Sequence, residues 1–164
     1  MGTDKNILDT IKENQLKAKI KELDNSINSY NGKISQCNQQ IARAEQSYNS
    51  LLGFKNSVQS SQDCFFNANG SKTTVLQQVK SIVVNNTVAK KYNSGMERIL
   101  NGPGSKIATG LYSFLINNIN AELNRLSNSI GEYENQINQY NSLIYSAQNS
   151  RRNTINDLRE MEEC

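Results

Sequence analysis

The sequence predicts an all-α protein: a long antiparallel helical hairpin, coiled-coil in character, with a small helical head between its two arms. Three observations carry that expectation. Apolar residues recur at alternating steps of four and three over two long stretches, the pattern of a helix that buries one seam. One Pro and nine Gly punctuate 164 residues, too few for an all-β chain, which turns roughly every dozen residues. Between the two stretches lies a segment of different character that holds the strongest break in the chain.

The first arm runs through Leu16, Ile20, Leu23, Ile27, Tyr30, Ile34, Cys37, Ile41, Ala44, Tyr48 and Leu51, then Lys55 and Val58, and only Lys55 interrupts the apolar series. The second runs through Tyr112, Ile116, Ile119, Leu123, Leu126, Ile130, Tyr133, Ile137, Tyr140, Ile144 and Ala147, and continues by Arg151 and Thr154 to Leu158 and Met161. Such regularity rejects disorder for both arms. Composition alone would have suggested disorder, with 36% apolar residues and 25 Asn, 18 Ser and 12 Gln. The chain is therefore expected to form a single elongated helical domain over 1–164, with arms at 4–60 and 106–162 and a head at 61–105.

The two arms fit each other by volume. A register that sets Tyr30 against Ala147, Cys37 against Tyr140 and Ala44 against Tyr133 places a tyrosine opposite every small seam residue in the middle of the arms. The same register sets Leu51 against Leu126 and Val58 against Ile119. Positions beside the seam are mostly Asn, Gln and Ser, so charge pairing does little to choose partners. That amide-rich surface reads either as AT-rich coding of exposed positions or as a surface awaiting another helix.

The head opens with Cys64, Phe65 and Phe66 and is expected to turn through Asn69-Gly70-Ser71, with Ser71 or Thr73 capping the next helix. That helix carries Val75, Leu76, Val79, Ile82, Val83, Met96, Ile99 and Leu100, with a bend or division at Asn85-Asn86-Thr87. Asn101-Gly102-Pro103-Gly104-Ser105 ends it, with a C-cap glycine, a proline and then Ser105 as cap of the following helix. Ile107, Leu111, Phe114 and Leu115 are expected to close the head. Between Asp63 and Glu122 six cations, Lys72, Lys80, Lys90, Lys91, Arg98 and Lys106, face the single acid Glu97. This reads as a solvated face or as a surface for an acidic protein or anionic membrane.

Chemistry is mostly excluded. Histidine is absent, which removes the usual general base, the commonest zinc ligand and the Ser-His and Cys-His dyads. Cys37, Cys64 and Cys164 form no C-x-x-C pair and no disulfide framework. Gly102 to Lys106 lacks the spacing of a phosphate-binding loop. No catalytic residue, metal site or cofactor is expected, and no nucleic-acid recognition motif accompanies the basic head. The start, MGTDKNILDTIKENQ, has no apolar signal core, and no apolar run reaches roughly 18 residues. A cytoplasmic protein is expected, exported, if at all, without a cleavable signal peptide.

A long helix, a break and a second long helix with Asn/Gln/Ser-rich heptads resemble the small helical proteins of Gram-positive type VII secretion. These are the WXG-type family and its longer YwqH-like relatives, which accompany LXG-domain toxins. MERILNGPGSKIATGLYSFL is similar to the family's tight turn, with Leu100, Asn101 and Gly102 at the W-x-G positions and Leu100 in place of Trp. The C-terminal Y-x-x-x-[DE] signal is missing, since Tyr133, Tyr140 and Tyr145 are followed four residues on by Ile137, Ile144 and Asn149. The resemblance implies a non-enzymatic adaptor or chaperone that binds the helical N-terminal domain of a secreted toxin as a heterodimer, with a homodimer when the partner is absent. Partner contacts are expected from Phe65, Phe66, Lys90, Lys91, Leu100, Asn101 and Gly102. The alternative is a structural or membrane-active coiled-coil protein, such as a phage tail component or pore-former subunit.

Overall fold

The computed structural model describes residues 3–82 and 87–162. They form three helices and, among the described residues, no strand: α1 (Thr3–Ile82), α2 (Thr87–Asn101) and α3 (Pro103–Glu162). The fold is all-α. The expected bend at Asn85-Asn86 and the position of Val83 lie outside the described residues, as does Cys164.

Burial follows the sequence period. Every seam position from Leu16 to Val58, Lys55 included, is at least half-buried, and so is every one from Tyr112 to Met161. The residues between them are mostly exposed. The contacts gather into two compact units, each using both long helices: Met1–Glu45 with Asn128–Cys164, and Gln46–Ser127.

In the first unit, Asp24, Tyr30 and Cys37 of α1 meet Arg151, Tyr140 and Gln136 of α3, so partners fall in number along α3 as they rise along α1. The Tyr30 and Tyr140 rings stack with centroids 6.0 Å apart. Lys33 Nζ lies 5.6 and 5.4 Å from the same two centroids, within cation–π range. Tyr140 lies one heptad from Ala147, the residue expected opposite Tyr30. Cys37 is not set against Tyr140 alone but lines one recess together with Tyr133 and Tyr140.

The second unit is built on Val58, Ile119 and Leu123, with Tyr48, Leu51, Tyr112 and Ile116 packed around them. Leu76 and Leu100 are also buried there. The loop expected at Asn69-Gly70-Ser71 is absent, because α1 continues to Ile82. The seam continues through polar residues that composition marks as a break: Gln62, Phe65, Asn69, Thr73 and Leu76 hold the three- and four-residue spacing and are all shielded. Neither Ser71 nor Thr73 caps a helix. The hydroxyls of Thr73 and Thr74 donate instead to the carbonyls of Asn69 and Gly70, at 2.8 and 3.1 Å, the back-bonding that lets Thr sit within a helix.

The break at Asn101 to Ser105 is present in altered detail. Gly102 separates the helices and Pro103 takes the first helical position of α3, where its missing N–H costs nothing. Ser105 therefore sits inside α3 rather than capping it. No glycine among the described residues has a positive φ, so Gly102 is not a left-handed cap. It is needed for space: a Cβ there would stand 1.9 Å from the Arg98 carbonyl oxygen.

Two glycine substitutions separate these roles. Gly70 sits in α1 with open space where a Cβ would stand, so Gly70→Ala should stabilise by about 0.5–1 kcal/mol, as for an exposed helix interior. Gly102→Ala must displace backbone and should destabilise by about 1–3 kcal/mol. Urea unfolding of the two variants measures both, and a neutral or destabilising Gly70→Ala would indicate a loop after all.

Candidate functional site

The second unit holds the molecule's distinctive surface, and one α1 side chain arranges it. Asn69 is half-buried on the seam, and its amide nitrogen donates to the Leu100 carbonyl at 3.1 Å and to Ser105 Oγ at 3.3 Å. The last carbonyls of a helix have no partner within it, so Asn69 satisfies the end of α2 while holding the first turn of α3. The Lys106 amide closes the junction by donating to the Gly102 carbonyl at 3.3 Å.

This arrangement divides the residues expected to contact a partner. Leu100 is 5% exposed and belongs to the core. Phe65 is half-buried, its ring 6.1 Å from that of Tyr112 and 5.7 Å from that of Phe66. Gly102 is half-buried beneath Arg98. Phe66, Lys90, Lys91 and Asn101 are exposed. The junction thus brings Leu100, Asn101 and Gly102 together as a structural turn, with only Asn101 open to solvent.

A second group faces outward against expectation. Ile107, Leu111 and Phe114 are 63%, 62% and 66% exposed and do not close a head. The helical period explains this. Tyr112, Ile116 and Ile119 turn toward α1, which puts Ile107, Leu111 and Phe114 roughly 150° around α3. Steps of four and three hold these three on one face. Their spacing was visible in the sequence, but only the register of the longer seam decides which of two apolar stripes is buried.

The inner face of α2 carries Asn93, Met96 and Leu100. Asn93 is 6% exposed, and its Oδ1 has no hydrogen-bond partner among the described residues, a costly state for a buried acceptor. On the flank of α2, Tyr92 and Met96 line an apolar recess of about 240 Å³ together with Ser71, Lys72, Val75, Leu76 and Val79 of α1. Sequence reasoning missed this recess, since its residues come from two helices.

Charge on this unit is uneven. It holds eight Lys and Arg against three Asp and Glu, a net +5. Two of the acids are already engaged. Lys80 Nζ lies 2.9 Å from Glu97, and Arg125 donates to Glu122 at 2.8 and 2.5 Å. The hydrogen bond from Arg125 holds the Glu122 carboxyl below its ordinary value. Lys72, Lys90, Lys91, Arg98 and Lys106 pair with no described acid.

No family model, curated protein or solved structure matches the chain. No helix among the described residues is long and apolar enough to cross a membrane.

Burial separates stability from recognition in a testable way. Leu100→Ala should cost about 2–5 kcal/mol of unfolding free energy by opening a cavity in the core. Phe114→Ala, at an exposed position, should stay within about 0.5 kcal/mol of the parent. Denaturant unfolding followed by circular dichroism reads both, and a large loss from Phe114→Ala would show that its face is already occupied.

Proposed function

We propose that this chain is a non-enzymatic helical adaptor. In this reading its arms form an antiparallel coiled-coil hairpin that lies along the helical N-terminal domain of a type VII secreted toxin and supports its export as a heterodimer. The observation that carries the reading is the outward apolar stripe Ile107, Leu111 and Phe114 on α3, which lies apart from the buried seam. A helix with two apolar faces has one to spare for a partner. Burying it against a partner's stripe yields a multi-helix arrangement of ordinary packing. The turn at Leu100-Asn101-Gly102 supports the family resemblance, because Gly102 admits no side chain. In this reading the cytoplasm is the place of synthesis and of partner capture.

The contact residues follow from exposure: Phe66, Asn101, Lys90 and Lys91 of those expected from the sequence, joined by the α3 stripe. Phe65, Leu100 and Gly102 act through the fold that presents them. A structural or membrane-active role is the second reading, favoured by the same stripe beside a net +5 unit.

The deciding experiment is an affinity pull-down of the tagged chain from its native producer with mass spectrometry of bound proteins. A stoichiometric partner with a long helical N-terminal domain supports the adaptor. Recovery of the chain alone, together with salt-dependent binding to anionic liposomes, sinks it in favour of the membrane reading. Once the partner is in hand, the double charge reversal Lys90→Glu and Lys91→Glu should weaken binding by about tenfold or more at low salt and little at high salt. Unfolding free energy should stay unchanged, and equal affinity at both salts removes the basic surface from the interface.

A further inference from the structure

We infer that the recess between α1 and α2 is an anchor pocket that takes one large apolar side chain from an amphipathic helix whose flanking residues are acidic. The inference rests on the adaptor reading and names the contact chemistry that reading leaves open.

The recess has the features of an anchor site. Its volume is about 240 Å³, room for a single large side chain. Leu76, 5% exposed, is its buried member, while Val75 and Tyr92 are 57% and 60% exposed. Energetically dominant interface residues are aromatic or large side chains inserted into such pockets, ringed by contacts that exclude water. An apolar recess left open to solvent is unfavourable, and filling it removes that surface from water.

Charge selects the occupant. Lys72 is an exposed residue among those that line the recess. Lys90 and Lys91 immediately precede Tyr92 on α2, exposed and with no described acid beside them. Lys80, on the next turn of α1 after Leu76, already holds Glu97, so the one acid of α2 offers nothing to a cationic ligand. A helix bearing Lys beside its apolar residue would meet uncompensated like charge, whereas Asp or Glu there would be paired and would speed encounter. Concavity argues against a bilayer as occupant, because a flat lipid surface receives protruding apolar ridges and does not fill a recess.

The absence of Trp from the chain supplies a direct probe. Synthetic amphipathic helical peptides carrying one Trp on the apolar face, flanked by Glu in one peptide and by Lys in the other, are titrated with the full chain while Trp emission is followed. The expected result is a saturable blue shift for the Glu peptide and none for the Lys peptide. Val75→Glu, at an exposed position that circular dichroism should show to be folded, is expected to weaken the Glu peptide by about tenfold or more. Lys72→Glu should weaken the Glu peptide and admit the Lys peptide. Equal binding of both peptides, indifference to Val75→Glu, or competition by phosphatidylglycerol vesicles but not phosphatidylcholine vesicles would each overturn the inference, the last by making the occupant a membrane. Self-association of the chain alone that Val75→Glu abolishes would overturn it too, by making the occupant a second copy.

Failure of the pocket and failure of the adaptor are separable. If Val75→Glu still captures the partner that the parent chain captures, the pocket is wrong and the adaptor stands. If the parent captures no partner while the Glu peptide binds as expected, the pocket stands and the adaptor falls.

Discussion

The Asn69 amide donates to the Leu100 carbonyl and to the Ser105 hydroxyl, and the junction of α2 with α3 depends on that pair of bonds. One bond satisfies the end of α2, and the other holds the first turn of α3. Both are anchored on the seam of α1, so the end of the short helix and the start of the long one are tied to a single side chain. Gly102 makes the same junction sterically possible, since any side chain there would run into the Arg98 carbonyl. A polar residue on an apolar seam usually weakens packing while specifying its arrangement, and here the specification is of where one helix stops and the next begins.

With the junction held, burial and exposure divide cleanly. Leu100 goes into the core beside Asn93 on the inner face of α2. The α3 seam turns toward α1, and a second apolar stripe is left on the far side. Eight Lys and Arg lie on this unit, with two of its three acids already engaged. An outward apolar stripe, an apolar recess and unpaired cations therefore belong to one compact unit, which is why the proposed partner surface lies there.

The first unit works by different means. Its seam contains stacked tyrosines with Lys33 over them, Cys37 beside Gln136, and Thr154, whose hydroxyl donates to the Ser150 carbonyl at 2.8 Å. The Arg151–Asp24 pair at 2.6 Å is about two-fifths exposed on both sides, so solvent screening leaves it a minor contributor. Cys37, Tyr133 and Tyr140 line one recess of this unit together with the amide side chains of Gln36, Gln39, Gln40 and Gln136.

Helical class, the period of the long seams and the break at Gly102-Pro103 were legible in the sequence alone, because they depend on spacing along one chain. A heptad repeat declares its buried face without reference to any partner, and the Gly-Pro step stops a helix by local sterics. Three features needed the tertiary structure. Asn69, Gly70 and Ser71 read as a turn by composition, yet they continue α1 because Phe65 and Leu76 on either side remain packed. Ile107, Leu111 and Phe114 read as core, yet they face solvent because a helix of this length buries the stripe shared with its longer neighbour. The recess of Val75, Val79, Tyr92 and Met96 has no sequence signature, since α1 and α2 contribute to it from separate segments. Local rules settle what one helix is, and only packing between helices settles which of its faces is left for something else.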